Sequence, residues 1–117
     1  MKLINESTLL IKKSKFVAYY YKLDSIDEIK DILKSLKEEN KKANHFVYAY
    51  KFNNTAGKSD DKEPTGSAGL QIYNLINMNN LNNVLIVVVR YFGGTKLGIG
   101  PLTRSYKNVT SMVIKNI

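Results

Sequence analysis

The 117-residue sequence predicts an α/β (α+β) fold, a two-layer sandwich in which helices pack on a mainly antiparallel sheet. Three observations predict it: an alternating strand pattern at 45–52, a continuous apolar run at 84–89, and amphipathic helical patterns at 25–38 and after Pro101. The length and the apolar fraction of 44% are those of one globular domain, taken as residues 1–117.

The first half of the chain has the pattern of two strands and a helix. Residues 8–11 and 16–23 have the β-branched and aromatic content of strands, and the polar residues 12–15 predict a bend between them. A helix is predicted to begin at Ser25, because Glu28 three residues later completes a capping box. Its buried stripe is Ile29, Ile32, Leu33 and Leu36.

The second half adds two strands and two helices. Residues 45–52 alternate aromatic and smaller side chains, and the polar stretch 53–62 predicts a loop. A second helix is predicted near Gly66, an interior strand at 84–89 and a third helix near Pro101. The predicted order is therefore β-β-α-β-α-β-α. The last helix would bury Leu102, Tyr106, Val109 and Val113 and expose Arg104, Lys107, Ser111 and Lys115.

Charge is unevenly distributed along the chain. The net charge is +8, yet residues 1–63 hold all ten acids, whereas residues 64–117 carry five Lys or Arg and no acid. An unopposed positive second half favours an anionic partner such as RNA or the ribosome. A solubilising surface charge in a chain rich in lysine and asparagine explains the same distribution equally well.

Cysteine is absent and His45 is the single histidine. Disulfides, cysteine nucleophiles and multi-histidine metal sites within one chain are therefore excluded, and we expect no metal and no cofactor. A chain without cysteine fits the reducing cytoplasm. The longest apolar run, 84–89, is too short to span a membrane, so we expect no membrane partner. His45 is a candidate polar site residue, as a general base only if the fold brings it to Asp60 or Asp61.

The first candidate functional segment is an acidic stretch that precedes the second predicted helix. Paired carboxylates can hold a divalent ion or act as acid and base, and amides at a helix start can bind a phosphate. The same residues can instead cap a turn and complement the helix dipole, and spacing alone favours this structural interpretation. The residues of the segment are Asp60, Asp61, Glu63, Thr65, Gly66, Ser67 and Gly69.

The second candidate is a basic, glycine-rich segment between the 84–89 strand and the third helix. Four glycines within residues 93–100 permit close approach of a backbone or an anion, and Tyr91 and Phe92 add stacking faces. The spacing of known phosphate-binding glycine loops is absent, and a tight connection whose glycines serve packing alone is the alternative. The predicted anion- or nucleic-acid-binding residues are Arg90, Gly93, Gly94, Lys96, Gly98, Gly100, Arg104 and Lys107.

Together and in this order, these segments resemble the Impact family of YigZ-like proteins over nearly the whole chain. The strongest match is Arg90-Tyr-Phe-Gly-Gly-Thr-Lys-Leu-Gly98, and the acidic segment from Asp60 to Gly69 is the second. Pro101 and Ser105 depart from the pattern usual in bacterial relatives. The remaining matches are Lys13-Ser-Lys-Phe16, His45, Tyr48-Ala-Tyr50, Gly100, Leu102, Arg104 and Tyr106.

The resemblance implies the two-layer sandwich of domain two of ribosomal protein S-five, and a role at the translation machinery. Eukaryotic members of the family restrain a kinase-activating partner largely through a separate N-terminal domain, and bacterial members usually add a C-terminal domain. We therefore expect residues 1–117 to form the shared domain alone.

Three interpretations of function follow. The leading one is a non-enzymatic module that binds RNA or the ribosome and takes part in the regulation of translation. The second is an enzyme or receptor for a small ligand or phosphate, using the acidic segment against the glycine segment. The third is a protein interaction domain, for which the relevant side chains would be Tyr19, Tyr21 or Tyr50.

Overall fold

A computed structural model describes residues 1–116, which form one five-stranded antiparallel sheet and three helices. The strand order is β1-β2-β5-β3-β4, so the apolar β5 lies at the centre. The elements in chain order are β1 Lys2–Ile11, β2 Ser14–Lys22, α1 Glu28–Glu39, β3 His45–Phe52, β4 Thr55–Ser59, α2 Gly69–Met78, β5 Val84–Tyr91 and α3 Ile99–Lys115.

The core lies on both faces of the sheet. Alternate residues of β5, Ile86 and Val88, face α2 and α3, while Leu85 and Val87 face α1. The predicted α+β class with a mainly antiparallel sheet is confirmed. The sheet with α2 and α3 forms the two predicted layers, and α1 covers part of the opposite face. The predicted buried line of α3 is confirmed at Leu102, Tyr106, Val109 and Val113.

The hairpin between β1 and β2 turns within two residues. Ile11 pairs with Ser14, and Lys12 and Lys13 between them both have positive φ, of 45° and 70°. Positive φ at both central residues is typical of the type I′ turn, whose twist matches that of the flanking strands. The bend predicted at 12–15 is therefore tighter than expected, and β2 begins at Ser14.

One prediction about strands was wrong. Residues 53–62 were expected to form a loop, but β4 occupies Thr55–Ser59 and pairs with β3, from Tyr48–Ser59 to Phe52–Thr55. The segment Thr-Ala-Gly-Lys-Ser lacks the alternation of apolar and polar residues that marks most strands. β4 is an edge strand and its side chains are mostly exposed, so its residues do not need to be apolar. Backbone pairing with β3, which a sequence pattern does not report, forms this strand.

The helices begin at different residues from those predicted. Helix α1 starts at Glu28 rather than Ser25, although the Glu28 side chain accepts from the Ser25 amide at 3.1 Å as a capping box requires. Helix α2 starts at Gly69 rather than near Gly66, and α3 starts at Ile99, two residues before Pro101. Across residues 1–116, every helix is too short or too polar to cross a membrane.

Candidate functional site

Two loops meet at one end of the sheet. The acidic loop, residues 60–68, joins β4 to α2, and the glycine loop, residues 92–98, joins β5 to α3. The β1–β2 turn lies at the same end, because Lys15 of β2 pairs with Tyr91, the last residue of β5. The antiparallel order of the sheet therefore brings together segments far apart in sequence.

Asp60 caps the N-terminus of α2. Its carboxylate accepts from the amides of Gly66 at 3.0 Å, Ala68 at 3.3 Å and Gly69 at 2.8 Å. These contacts satisfy amides that a helix start leaves without an intrahelical partner, and they place negative charge at the positive end of the helix dipole. The Asp60 side chain is thus engaged in folding the loop.

The other residues of the acidic loop have mixed surroundings. Ser67 is buried and donates from its hydroxyl to the Pro64 carbonyl at 2.6 Å, whereas Thr65 is exposed. Gly66 has a φ of +80°, which an L side chain rarely adopts. A Cβ on Gly69 would lie 2.9 Å from the Ser59 carbonyl oxygen, so α2 packs closely on the end of β4.

Asp61 and His45 hold the acidic loop against the start of β3. Asp61 Oδ2 accepts from the Phe46 amide at 2.6 Å, and the Asp61 carbonyl lies 2.8 Å from His45 Nδ1. A carbonyl oxygen only accepts, so Nδ1 donates and fixes the ring. The opposite nitrogen, Nε2, then faces Glu63 Oε1 at 3.4 Å. The fold does bring His45 and Asp61 together, through the Asp61 backbone carbonyl.

A buried ion pair joins the acidic loop to the end of β5. Arg90, at the end of β5, donates through one terminal nitrogen to both Glu63 carboxylate oxygens, at 3.1 and 2.8 Å. Glu63 is 8% exposed and Arg90 is 6% exposed. The second terminal nitrogen of Arg90 lies 3.4 Å from the Ser14 hydroxyl, and the Tyr106 hydroxyl donates to Glu63. The acidic loop, β2, β3, β5 and α3 therefore each contribute a side chain to one polar network.

Aromatic rings enclose the Arg90 guanidinium. Its central carbon lies 5.4 Å from the Phe16 ring centroid and 5.9 Å from that of Phe92, within the range of cation–π contacts. Arg90 Nε has no hydrogen-bond partner among residues 1–116. Burial, followed by the nearby Glu63 charge, raises the pKa of Tyr106 far above its usual range. Tyr106 therefore stays a hydrogen-bond donor to the Glu63 carboxylate.

The glycine loop is fixed at its first residues. A Cβ on Gly93 would lie 2.0 Å from the Lys13 carbonyl oxygen, so only glycine lets the loop contact the β1–β2 turn. The Phe92 amide donates to Asn44 Oδ1 at 2.7 Å, and Gly94 has a φ of +90°. The loop is thus held by backbone contacts, while the Phe92 ring is 47% exposed.

A cavity of about 450 Å³ opens between the two loops. The paired side chains of Glu63 and Arg90 lie in its wall. Its remaining lining is mainly apolar, with one cation, and consists of Pro64, Phe92, Lys96, Leu97, Gly98, Ile99 and Leu102. A pocket of this size with apolar walls is typical of a binding site for a small molecule or a single inserted group.

Exposed cations lie on the glycine loop and along the first half of α3. Lys96 is exposed on the glycine loop, and Arg104 and Lys107 are exposed on α3; we call these three residues the cationic rim. Gly98 precedes α3 without any side-chain cap, and Gly100 lies in its first turn beside Arg104. Lys62 on the acidic loop and Lys13 on the β1–β2 turn are exposed as well.

Residues 1–116 contain no group of three or more His, Asp or Glu side chains that could hold a metal ion. The reason is visible in the acidic loop, where Asp60 binds amides of α2, Asp61 binds the Phe46 amide and Glu63 binds Arg90. The three carboxylates point to three different partners and do not converge on a common point.

Arg90 was predicted to be an anion- or nucleic-acid-binding residue, whereas in the structure it is buried and paired with Glu63. Alternate residues of a strand face the same side of a sheet, so Arg90, two residues after Val88, faces α2 and α3. Its position in this alternation was the sequence signal that could have predicted its burial. Two residues of the network, Ser14 and Tyr106, were not predicted as part of the site. Both residues lie in the matches to the family pattern, Ser14 within Lys13-Ser-Lys-Phe16, and that resemblance was the signal that could have found them.

The family model of the Impact N-terminal domain matches residues 12–114 of this chain. The matched residues include both loops and the whole polar network. The chain belongs to the Impact family. The family resemblance carried by the two glycine-containing segments is therefore confirmed.

The curated relatives of this chain include bacterial members of the Impact family. An IMPACT family member of Haemophilus influenzae is 34% identical over 116 residues, covering 92% of this chain and 54% of the relative. The IMPACT family member YigZ of Escherichia coli is 30% identical over 112 residues, covering 92% and 55%. The chain thus spans about half the length of these curated relatives.

Two solved structures share the fold of this Impact domain. A hypothetical protein superposes with a TM-score of 0.87 at 28% identity, covering 97% of this chain and 59% of the other. The two-domain translational regulator Yih1 superposes with a TM-score of 0.56 at 24% identity, covering 94% and 45%. At this sequence identity, the similarity between this chain and Yih1 is a similarity of fold alone.

Proposed function

We propose that this Impact domain is a non-enzymatic module that binds RNA or the ribosome through the cationic rim and takes part in the regulation of translation. The observation that carries the proposal is the contrast in charge at the loop end of the sheet. The carboxylates there are engaged by internal donors, whereas Lys96, Arg104 and Lys107 are exposed.

Charge complementarity supports a polyanionic partner. The acidic loop places its three acids on backbone amides or on Arg90, so they repel an approaching phosphate less than free carboxylates would. Residues 64–117, which include the cationic rim, contain no Asp or Glu. The positive charge of the rim is therefore not neutralised by acids from this part of the chain. Phosphate contacts of this kind supply affinity without reading sequence.

The link to translation rests on family membership. Yih1, which shares the fold, is described as a translational regulator, and this chain belongs to the Impact family. RNA is the polyanion of the translation machinery, so a basic surface on a member of this family fits that role. We infer the cytoplasm as the site of action from the same argument.

Titration of a fluorescently labelled single-stranded RNA, followed by anisotropy at about 50 and about 200 mM salt, tests the proposal. Binding should weaken steeply with salt, since each neutralised phosphate releases counterions. Each phosphate contact on a single strand contributes about 0.7 to the slope of log affinity against log salt. The variant Lys96→Ala/Arg104→Ala/Lys107→Ala removes three such contacts, so the magnitude of its slope should fall by about two.

A charge-matched control removes three exposed lysines elsewhere. Lys2 lies at the far end of β1, and Lys30 and Lys34 lie on α1, on the opposite face of the sheet. Lys2→Ala/Lys30→Ala/Lys34→Ala changes the net charge equally and should leave the slope near the wild-type value. Equal losses in the two variants would show that net charge alone drives binding, and absence of binding at low salt would remove the proposal.

A further inference from the structure

We propose that the cavity between the two loops receives one unpaired base of a single-stranded RNA, stacked on Phe92. The inference rests on the proposed function and assigns a role to a pocket that phosphate binding alone leaves unused. Its basis is the combination of an apolar slot of about 450 Å³, an exposed aromatic ring on its wall and a cation beside it.

The lining of the cavity fits a group that presents an apolar face. Pro64, Leu97, Ile99 and Leu102 supply apolar walls, and Ile99 is 67% exposed at the opening. A nucleobase gains free energy by leaving water for such a slot when an aromatic ring covers one of its faces.

Phe92 is held ready for stacking. Its amide is bound to Asn44, and the next residue, Gly93, contacts the backbone of Lys13. The Arg90 guanidinium lies behind the ring at 5.9 Å. Because the backbone of Phe92 is fixed in this way, only its side chain loses conformational freedom when a base stacks on the ring, which lowers the cost of binding.

The polar wall of the cavity offers little sequence discrimination. The Glu63 carboxylate already accepts from Arg90 and Tyr106, so little of its hydrogen-bonding capacity is left for a base. A base would therefore be held by stacking and shape, and any of the four bases would be accepted.

The charges near the cavity point to a nucleic acid strand. Lys96 lines the cavity, and Arg104 is exposed on the next turns of α3. The phosphates on either side of an inserted base would lie beside these cations. An apolar protein segment gains nothing from the cations, and a paired base cannot enter the slot, so an unpaired strand is the ligand that uses both features.

The protein contains no tryptophan, so Phe92→Trp introduces a single fluorescent reporter at the cavity. Titration of this variant with a short single-stranded RNA should quench its emission, saturating at the concentration at which labelled RNA saturates in anisotropy. Met78→Trp is the control, because Met78 is 73% exposed at the far end of α2. Its emission should change little.

Phe92→Ala removes the stacking ring and leaves the cations. It should weaken binding of single-stranded RNA roughly tenfold, as expected for the loss of one stacked base. Binding of a duplex of the same sequence should change less than twofold. Phe92→Tyr, which keeps a ring, should restore most of the single-strand affinity.

The outcomes separate the two proposals. RNA binding in anisotropy without quenching of Phe92→Trp, and without loss in Phe92→Ala, would overturn the base pocket and leave the proposed function standing. Absence of RNA binding in both assays would overturn both. Quenching by adenosine monophosphate at the same concentration as by the RNA would assign the cavity to a free small ligand and overturn the inference.

Discussion

The acidic loop and the glycine loop lie side by side and differ in how their side chains are used. The acidic loop engages its carboxylates within the fold: Asp60 on α2, Asp61 on β3 and Glu63 on Arg90. The glycine loop is fixed by backbone contacts and leaves Phe92 and Lys96 exposed. The acidic loop therefore supports the fold, and the glycine loop leaves side chains exposed, as the proposed contact surface requires.

The largest expected effect comes from breaking the ion pair between the acidic loop and the end of β5. Glu63→Ala leaves the buried Arg90 guanidinium without its counter-ion, so the free energy of unfolding should fall by about 3–5 kcal/mol. Urea unfolding followed by circular dichroism measures this loss. The double variant Glu63→Leu/Arg90→Met should recover much of it, because no unpaired charge remains buried. A loss below about 1 kcal/mol for Glu63→Ala would contradict the supporting role of the acidic loop.

The contact between the glycine loop and the β1–β2 turn gives the next effect. Gly93→Ala places a Cβ against the Lys13 backbone, and the free energy of unfolding should fall by about 1–3 kcal/mol, as for other overpacked sites. Gly100→Ala is the matched control. Its Cβ would meet only the flexible end of Arg104 at 3.3 Å, and the helical position should gain up to about 1 kcal/mol. Equal destabilisation in the two variants would contradict the close contact at Gly93.

The cap of α2 should contribute less than either contact. Asp60→Ala removes the acceptor for three amides, and the free energy of unfolding should fall by about 1–2 kcal/mol. Asp60→Asn keeps one acceptor oxygen and should lose less. Glu39→Ala, at an exposed position near the end of α1, should stay within about 0.5 kcal/mol of wild type. Thermal melts rank the three variants, and an Asp60→Ala melt equal to that of Glu39→Ala would remove the capping role.

The smallest effect on stability belongs to the cationic rim. Lys96→Ala, Arg104→Ala and Lys107→Ala should each change the free energy of unfolding by no more than about 0.5 kcal/mol, because the side chains are exposed. Urea unfolding of each variant provides the measurement. A loss above about 1 kcal/mol would show that the rim supports the fold and would erase the contrast between the loops.

Local patterns predicted much of the fold. The continuous apolar run of β5 indicated the central strand, and the spacing of Leu102, Tyr106, Val109 and Val113 gave the buried line of α3. The edge strand β4 was not predicted, because its residues do not alternate between apolar and polar. Backbone pairing with β3 forms this strand, and such pairing leaves no local pattern in the sequence. Local sequence reports burial well and reports long-range pairing poorly.

The candidate site shows the same limit. Both loops were recognised from glycine and charge, but the pairing of Arg90 with Glu63 joins residues 27 positions apart in sequence. The Phe92–Asn44 contact joins residues 48 positions apart. Tertiary packing decides which cations stay free, so the sequence alone placed Arg90 with Lys96 on the contact surface.

Amide chemical-shift mapping during titration with a single-stranded RNA tests the division between the loops most directly. We expect the largest changes at residues 92–100 and around Arg104, smaller changes at 60–68, and none at the far end of β1. The largest changes on α1 and the aromatic face of β3, with residues 92–100 unaffected, would contradict the account and assign the contact surface to the opposite side of the sheet.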